Sequence, residues 1–207
     1  MNPKAVLSVR VLFSHRLWFA LARLPFRYAE RPLSFTPPCP ICGQASLAHI
    51  PAGKRTMDYM GCEMIALYNA LHFLHRPQPL GHIIETFERR RWLMLGGHWG
   101  ADPYAIGRYF LEDGISFSEF SGKKQFSAFA DLVNSTENRA FVLSYWLGNT
   151  IFSGAHAVSL VRRDSRLWAY NLFNQQTAPM AVGALSDLVS PERFIVGYAP
   201  GGAGNEA

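Results

Sequence analysis

Three residues of this chain are of the types that together make a thiol nucleophile work: Cys62, His156 and Asn171. Cys62 opens the run GCEMIALYNALHFLH (61–75), where Met64, Leu67, Leu71 and Leu74 recur at helical spacing. A thiol at a helix N-terminus lies in a field that favours its thiolate. It still needs a base within hydrogen-bond reach and a group that orients that base. Of the seven histidines, His72 and His75 follow Cys62 on its own helix, about 15 Å or more along the axis and out of reach. His15, His49 and His82 lack a partner pattern, and His98 in a glycine loop stays open. His156 starts the alternating segment AHAVSLVRR, and a tight turn at Asp164 and Ser165 brings the chain back through RLWAYNLFN. That return places Asn171 beside the His156 end of the hairpin, where an amide can accept from one ring nitrogen and leave the other facing the thiol. Asn174 is a rival for this third role.

Two further groups of residues invite chemistry. The loop GGHWG (96–100) offers Gly97, where a peptide backbone can approach, and Trp99, which can cover it; the plainer reading is a helix-entry turn. CPIC (Cys39, Cys42) is half of a zinc knuckle, with His49 as a third ligand and no fourth nearby. A plain loop or a redox-sensitive pair fits it equally, so no metal and no cofactor is assigned.

The surrounding pattern must position these groups. Helices are expected over 61–75, 79–95, from Asp102 and Pro103 to a stop at Gly114, and over 124–135; strands over 139–147, 155–163, 166–173 and 193–199. Helices followed by an antiparallel sheet make an α+β domain. The 207 residues, 49% hydrophobic and 17% charged, suffice for one buried core. The net charge of +5 sits within residues 1–50, which hold six basic residues and one acidic; the rest is neutral. The main domain therefore lacks the charge that nucleic-acid binding requires, and no nucleic-acid partner is expected. The division expected is a basic extension and Pro-rich linker (1–55), a domain (56–200) and a flexible tail (201–207).

Residues 4–28 form an apolar stretch in which Arg16, Arg23 and Arg27 share one helical face. Such a segment suits a membrane surface or a transit peptide, or is a non-native extension ahead of a start at Met57 or Met60. No run is long enough to span a bilayer. Three cysteines are too few for a disulfide framework, so a reducing, cytoplasmic or membrane-peripheral setting is expected.

With these residues in order along the chain, the sequence resembles the papain-like cysteine peptidases, nearest the branch that processes double-glycine bacteriocin leaders. The resemblance spans about residues 56–200. It rests on CEMIALYNAL behind Cys62, on GADPYAIGRYFLEDGI, on GAHAVSL and on WAYNLFN. It implies a papain-like α+β fold and a thiol-dependent hydrolase of peptide or amide bonds, with Cys62 as nucleophile, His156 as proton carrier and Asn171 as its orienting residue. An acyltransferase on the same fold and a catalytically inactive peptide-binding module are the alternatives. The family usually carries an oxyanion-holding glutamine six residues before the cysteine. Thr56 stands there instead, with Asp58 a second candidate, and no Gln occurs between Gln44 and Gln78. The frequent CGP is CEM, and Glu63 opposes thiolate formation.

Overall fold

The computed structural model describes residues 32–148 and 153–201. The expectations for residues 4–28 and for nearly all of the tail lie outside this range. In chain order the elements are strands β1 (Pro51–Ala52) and β2 (Arg55–Thr56) and helices α1 (Met57–Met60), α2 (Cys62–Phe73), α3 (Leu80–Arg89) and α4 (Ala105–Glu112). Strand β3 (Phe117–Ser121) and helix α5 (Phe126–Ser135) follow, then strands β4 (Ala140–Trp146), β5 (Ala155–Arg163), β6 (Arg166–Tyr170), β7 (Met180–Val182) and β8 (Phe194–Pro200). The last five strands and β3 form one antiparallel sheet in the order β3-β8-β4-β5-β6-β7, so the class is α+β.

Helix α2 lies inside the molecule because its run from Cys62 to Leu71 is apolar apart from Glu63 and Asn69: every residue of that run is buried. A helix apolar on all sides must be covered on all sides. One side meets Val142, Ala157 and Val196 of the sheet, and the others take Ile83 and Phe87 of α3 and Phe110 of α4. The opposite face of the sheet is closed by α5, whose Phe129 and Val133 pack with Phe141, Leu143, Val158 and Leu160. Gly197 permits that approach, since a Cβ there would fall 2.5 Å from the Phe129 ring. Fully burying one such side chain stabilises the fold by about 1.5–3 kcal/mol.

The polar Asn69 on α2 has a structural use. Its Nδ2 donates to the Ile41 carbonyl at 2.8 Å and to Ser159 Oγ at 3.1 Å, while its Oδ1 accepts the Ile41 N–H at 2.8 Å. The segment before the domain is thereby tied to α2 and β5. The sequence reading made residues 31–55 a linker because Pro and Gly dominate it. The apolar residues between them decide otherwise: Ile41, Leu47 and Ala52 belong to the core.

Other boundaries shift for local reasons. The helix expected over 79–95 ends at Arg89; Arg91 then turns with φ +57°, and Leu93 bridges Ala101. Helix α4 starts at Ala105, two residues after Pro103, because Asp102 accepts the Tyr104 N–H at 2.9 Å and pairs with Arg108 at 2.5 Å in the turn before it. Strand β6 stops at Tyr170 instead of running to 173, since Asn171 takes φ +60°. The turn at Asp164 and Ser165 has φ +52° and +60°, the two positive values a tight two-residue hairpin needs. Strands β3 and β7, both at sheet edges, had no alternating pattern to announce them.

Candidate active-site cleft

Cys62 is the first residue of α2. The chain reaches it through Gly61, where a Cβ would stand 2.4 Å from the Met57 carbonyl oxygen, so α1 and α2 can abut only with glycine between them. Cys62 lines a cleft of about 220 Å³. Tyr59, Glu63, His98, Trp99 and Trp146 also line it.

The thiol donates a hydrogen bond to Glu63 Oε2 at 2.9 Å. Burial pushes the Cys62 pKa well above that of an ordinary thiol, and the charge and hydrogen bond of Glu63 push it further. The N–H groups of Ala157 and Glu63 pull weakly the other way. The helix N-terminus alone favours a thiolate, but burial of the sulfur, together with the Glu63 carboxyl against it, outweighs that field. Sequence reading expected Glu63 to oppose ionisation, and the direction agrees; it expected a net depressed thiol pKa, and the direction here is upward. Glu63 itself is raised to about 7, chiefly by burial, with Asp102 adding to the rise and the Cys62 hydrogen bond opposing it.

His156 is the second residue of β5 and is buried at 6% exposure. It pairs with Tyr145 on β4, and the two rings meet edge to face at 6.0 Å. Its Nε2 lies 2.6 Å from the backbone carbonyl of Asn171. A carbonyl only accepts, so Nε2 carries the proton and Nδ1 keeps a lone pair. Burial lowers the His156 pKa and the Asn171 carbonyl partly offsets this, which leaves the ring neutral. The hairpin does bring Asn171 to His156, as its register suggested. The contact is made by the main chain, because the left-handed turn at Asn171 aims the carbonyl, and not the amide, at the ring. The Ala157 N–H of β5 reaches the sulfur; His156, its neighbour in the chain, shares a strand face with Val158, and no hydrogen bond joins its ring to the thiol.

The Asn171 amide turns to Gln44, donating from Nδ2 to Gln44 Oε1 at 3.2 Å, and Gln44 Nε2 donates to the Asp58 carbonyl at 2.5 Å. The Asn171 N–H donates to the Cys42 carbonyl at 2.7 Å. Gln44 is therefore a member of the His156 support that sequence reading passed over, as it stands eighteen residues before the cysteine within the assumed linker. Only its place on a buried turn marks it, and no local pattern does.

The other candidates fall in three places. The Thr56 hydroxyl donates to the Asp58 carboxylate, so that hydroxyl is engaged, and neither residue lines the cleft. Trp99 lines it; Gly97, with φ +96°, lies behind, and the neighbouring Gly96 carbonyl accepts the Lys54 N–H at 2.8 Å, fixing the loop to the β1–β2 turn. Asn174 lines a separate groove beside the proline segment. Cys39 and Cys42 are free; Cys39 is raised to about 12 by burial and by Cys42. His49 does not gather with them, and no cluster of three metal-binding side chains exists among the described residues. Among these residues no helix is long and apolar enough to cross a membrane. The sequence matches no protein-family model and no curated protein.

Proposed function

We propose that this chain is a thiol-dependent acyl-transfer enzyme of papain-like design, hydrolysing a peptide or other amide at Cys62. The observation that carries the reading is a cleft thiol at a helix start, met by the Ala157 N–H of β5, with a buried, neutral imidazole on the preceding residue of that strand. The Asn171 carbonyl holds the Nε2 proton of His156, so Nδ1 is the basic nitrogen. In the reaction the sulfur bonds to the acyl carbon as its proton leaves for the base. The oxyanion that develops is met by the Cys62 N–H at the first turn of α2. Nδ1 takes the proton once the thiol turns from Glu63, then returns it to the departing amine, leaving a thioester for water to open. Trp99 and Trp146 line the cleft and exclude solvent from the thioester.

A second reading is favoured by one contact. Since Cys62 is held by Glu63 and its pKa is raised, the same cleft also suits a module that binds a peptide without cleaving it. A panel of blocked peptidyl aminocoumarin amides separates the two. The hydrolase reading predicts turnover that Cys62→Ser abolishes and His156→Ala lowers about 10²-fold or more. Turnover unchanged in Cys62→Ser contradicts it. Equal peptide binding by wild type and Cys62→Ser, with no turnover by either, establishes the binding module.

A further inference from the structure

The carboxyl of Glu63 is 1% exposed, yet it has no basic residue of its own. Among the described residues lining the cleft there is no lysine and no arginine. The nearest acidic neighbour, Asp102, has taken Arg108 at 2.5 Å and leaves Glu63 under an added negative field. A buried carboxylate without a cation is costly, and it must hold a proton, find a partner or stay unstable. At present its partner is the Cys62 thiol, a weak donor. The walls around it are aromatic: Tyr59, Trp99 and Trp146. One of these rings already receives a cation at the rim, where the Arg55 guanidinium stands 5.0 Å from the Tyr59 ring centre. Ring faces attract cations, and a desolvated carboxylate attracts them more strongly.

We propose that the cleft selects a ligand carrying an ammonium or guanidinium group, with Glu63 as its counter-ion and the aromatic rings as its walls. This deepens the reading of the Cys62 cleft as the site. The cation draws the carboxylate off the sulfur as it binds, so recognition also releases the nucleophile. The substrate class is then an amide whose neighbouring side chain is basic.

The groups that face Glu63 set the pH dependence. Cys62 stays protonated, Asp102 is paired with Arg108, and His98 enters from the glycine loop, where its Nδ1 accepts from Arg55 Nε at 3.1 Å. Glu63 gains charge as pH rises, so cation binding strengthens with pH through neutrality.

The test is a tryptophan-fluorescence titration with n-butylammonium, n-butylguanidinium and neutral butyramide between pH 6 and pH 8.5. Both cations bind at least tenfold more tightly than butyramide at pH 8, with affinity rising across the range. Glu63→Gln removes the preference and the pH slope, and His98→Gln keeps both. Equal binding of cation and neutral probe by wild type, or a preference that survives in Glu63→Gln, overturns the proposal. A slope that vanishes in His98→Gln alone also overturns it. Cys62→Ser retains the preference, and a wild type that selects cations yet hydrolyses no amide counts against acyl transfer and not against cation selection.

Discussion

At the scale of single residues, Glu63 and His156 are buried titratable groups whose pKa values move in opposite directions, each towards its neutral form, so stability responds to pH in opposite ways. Burial raises Glu63 to about 7 from an unfolded value near 4.5. The folded protein then holds this proton more tightly than the unfolded chain, so stability is fully present below the unfolded pKa and is lost as pH rises towards 7. Such a shift corresponds to about 3 kcal/mol. Glu63→Gln is therefore expected to raise the denaturation midpoint in urea at pH 8 by the equivalent of roughly 2–3 kcal/mol, with the gain fading towards pH 4.5. For His156 the folded pKa is lowered, so the unfolded chain takes the proton first. Its contribution is intact above the unfolded pKa and is lost on acidification. A destabilising effect of Glu63→Gln at pH 8 would show that the carboxylate is compensated by a partner the geometry does not include.

At the scale of elements, the segment from Cys39 to Ala52 has the largest consequence. It supplies Ile41, Leu47 and Ala52 to the core and ties down Asn69 through Ile41. It also brings Gln44 and the Cys42 carbonyl to Asn171. A chain beginning at Met57 loses two large buried side chains, takes the Ile41 partners from the buried Asn69 amide and leaves the Asn171 N–H without its acceptor. The loss is on the order of 5 kcal/mol or more, comparable with the whole net stability of a domain. Such a truncation is expected to melt at least 10 °C below the full chain or to lose its cooperative transition by calorimetry; an unchanged melting temperature would show the segment to be dispensable. The helix behind Cys62 and the β5–β6 hairpin were legible from the sequence, because their apolar periods are long and the turn residues are decisive. The proline segment was not legible as structure. Its few core residues are separated by Pro and Gly, which speak only for local backbone, and their burial depends on partners far along the chain.

At the scale of the whole molecule, the class was readable and the finer contacts were not. Helices first and an antiparallel sheet after follow from the change of apolar period near residue 139, and the six-stranded sheet has that composition apart from its edge strand β3. The candidate residues Cys62, His156 and Asn171 were chosen by type and order. What joins them was hidden. The carbonyl of Asn171, the amide of Gln44 and the carboxyl of Glu63 become partners only when helix, sheet and proline segment meet, and no local spacing encodes that meeting. The consequence for the molecule is a thiol held by an acid beside it, inside a cleft lined by aromatic rings. The most direct measurement is the rate of Cys62 alkylation by iodoacetamide from pH 6 to pH 10, followed by mass spectrometry in wild type and Glu63→Gln. The account predicts that wild-type Cys62 reacts with a midpoint above that of an ordinary thiol, and that Glu63→Gln lowers this midpoint by about one pH unit or more. Superimposable profiles for the two proteins would contradict it.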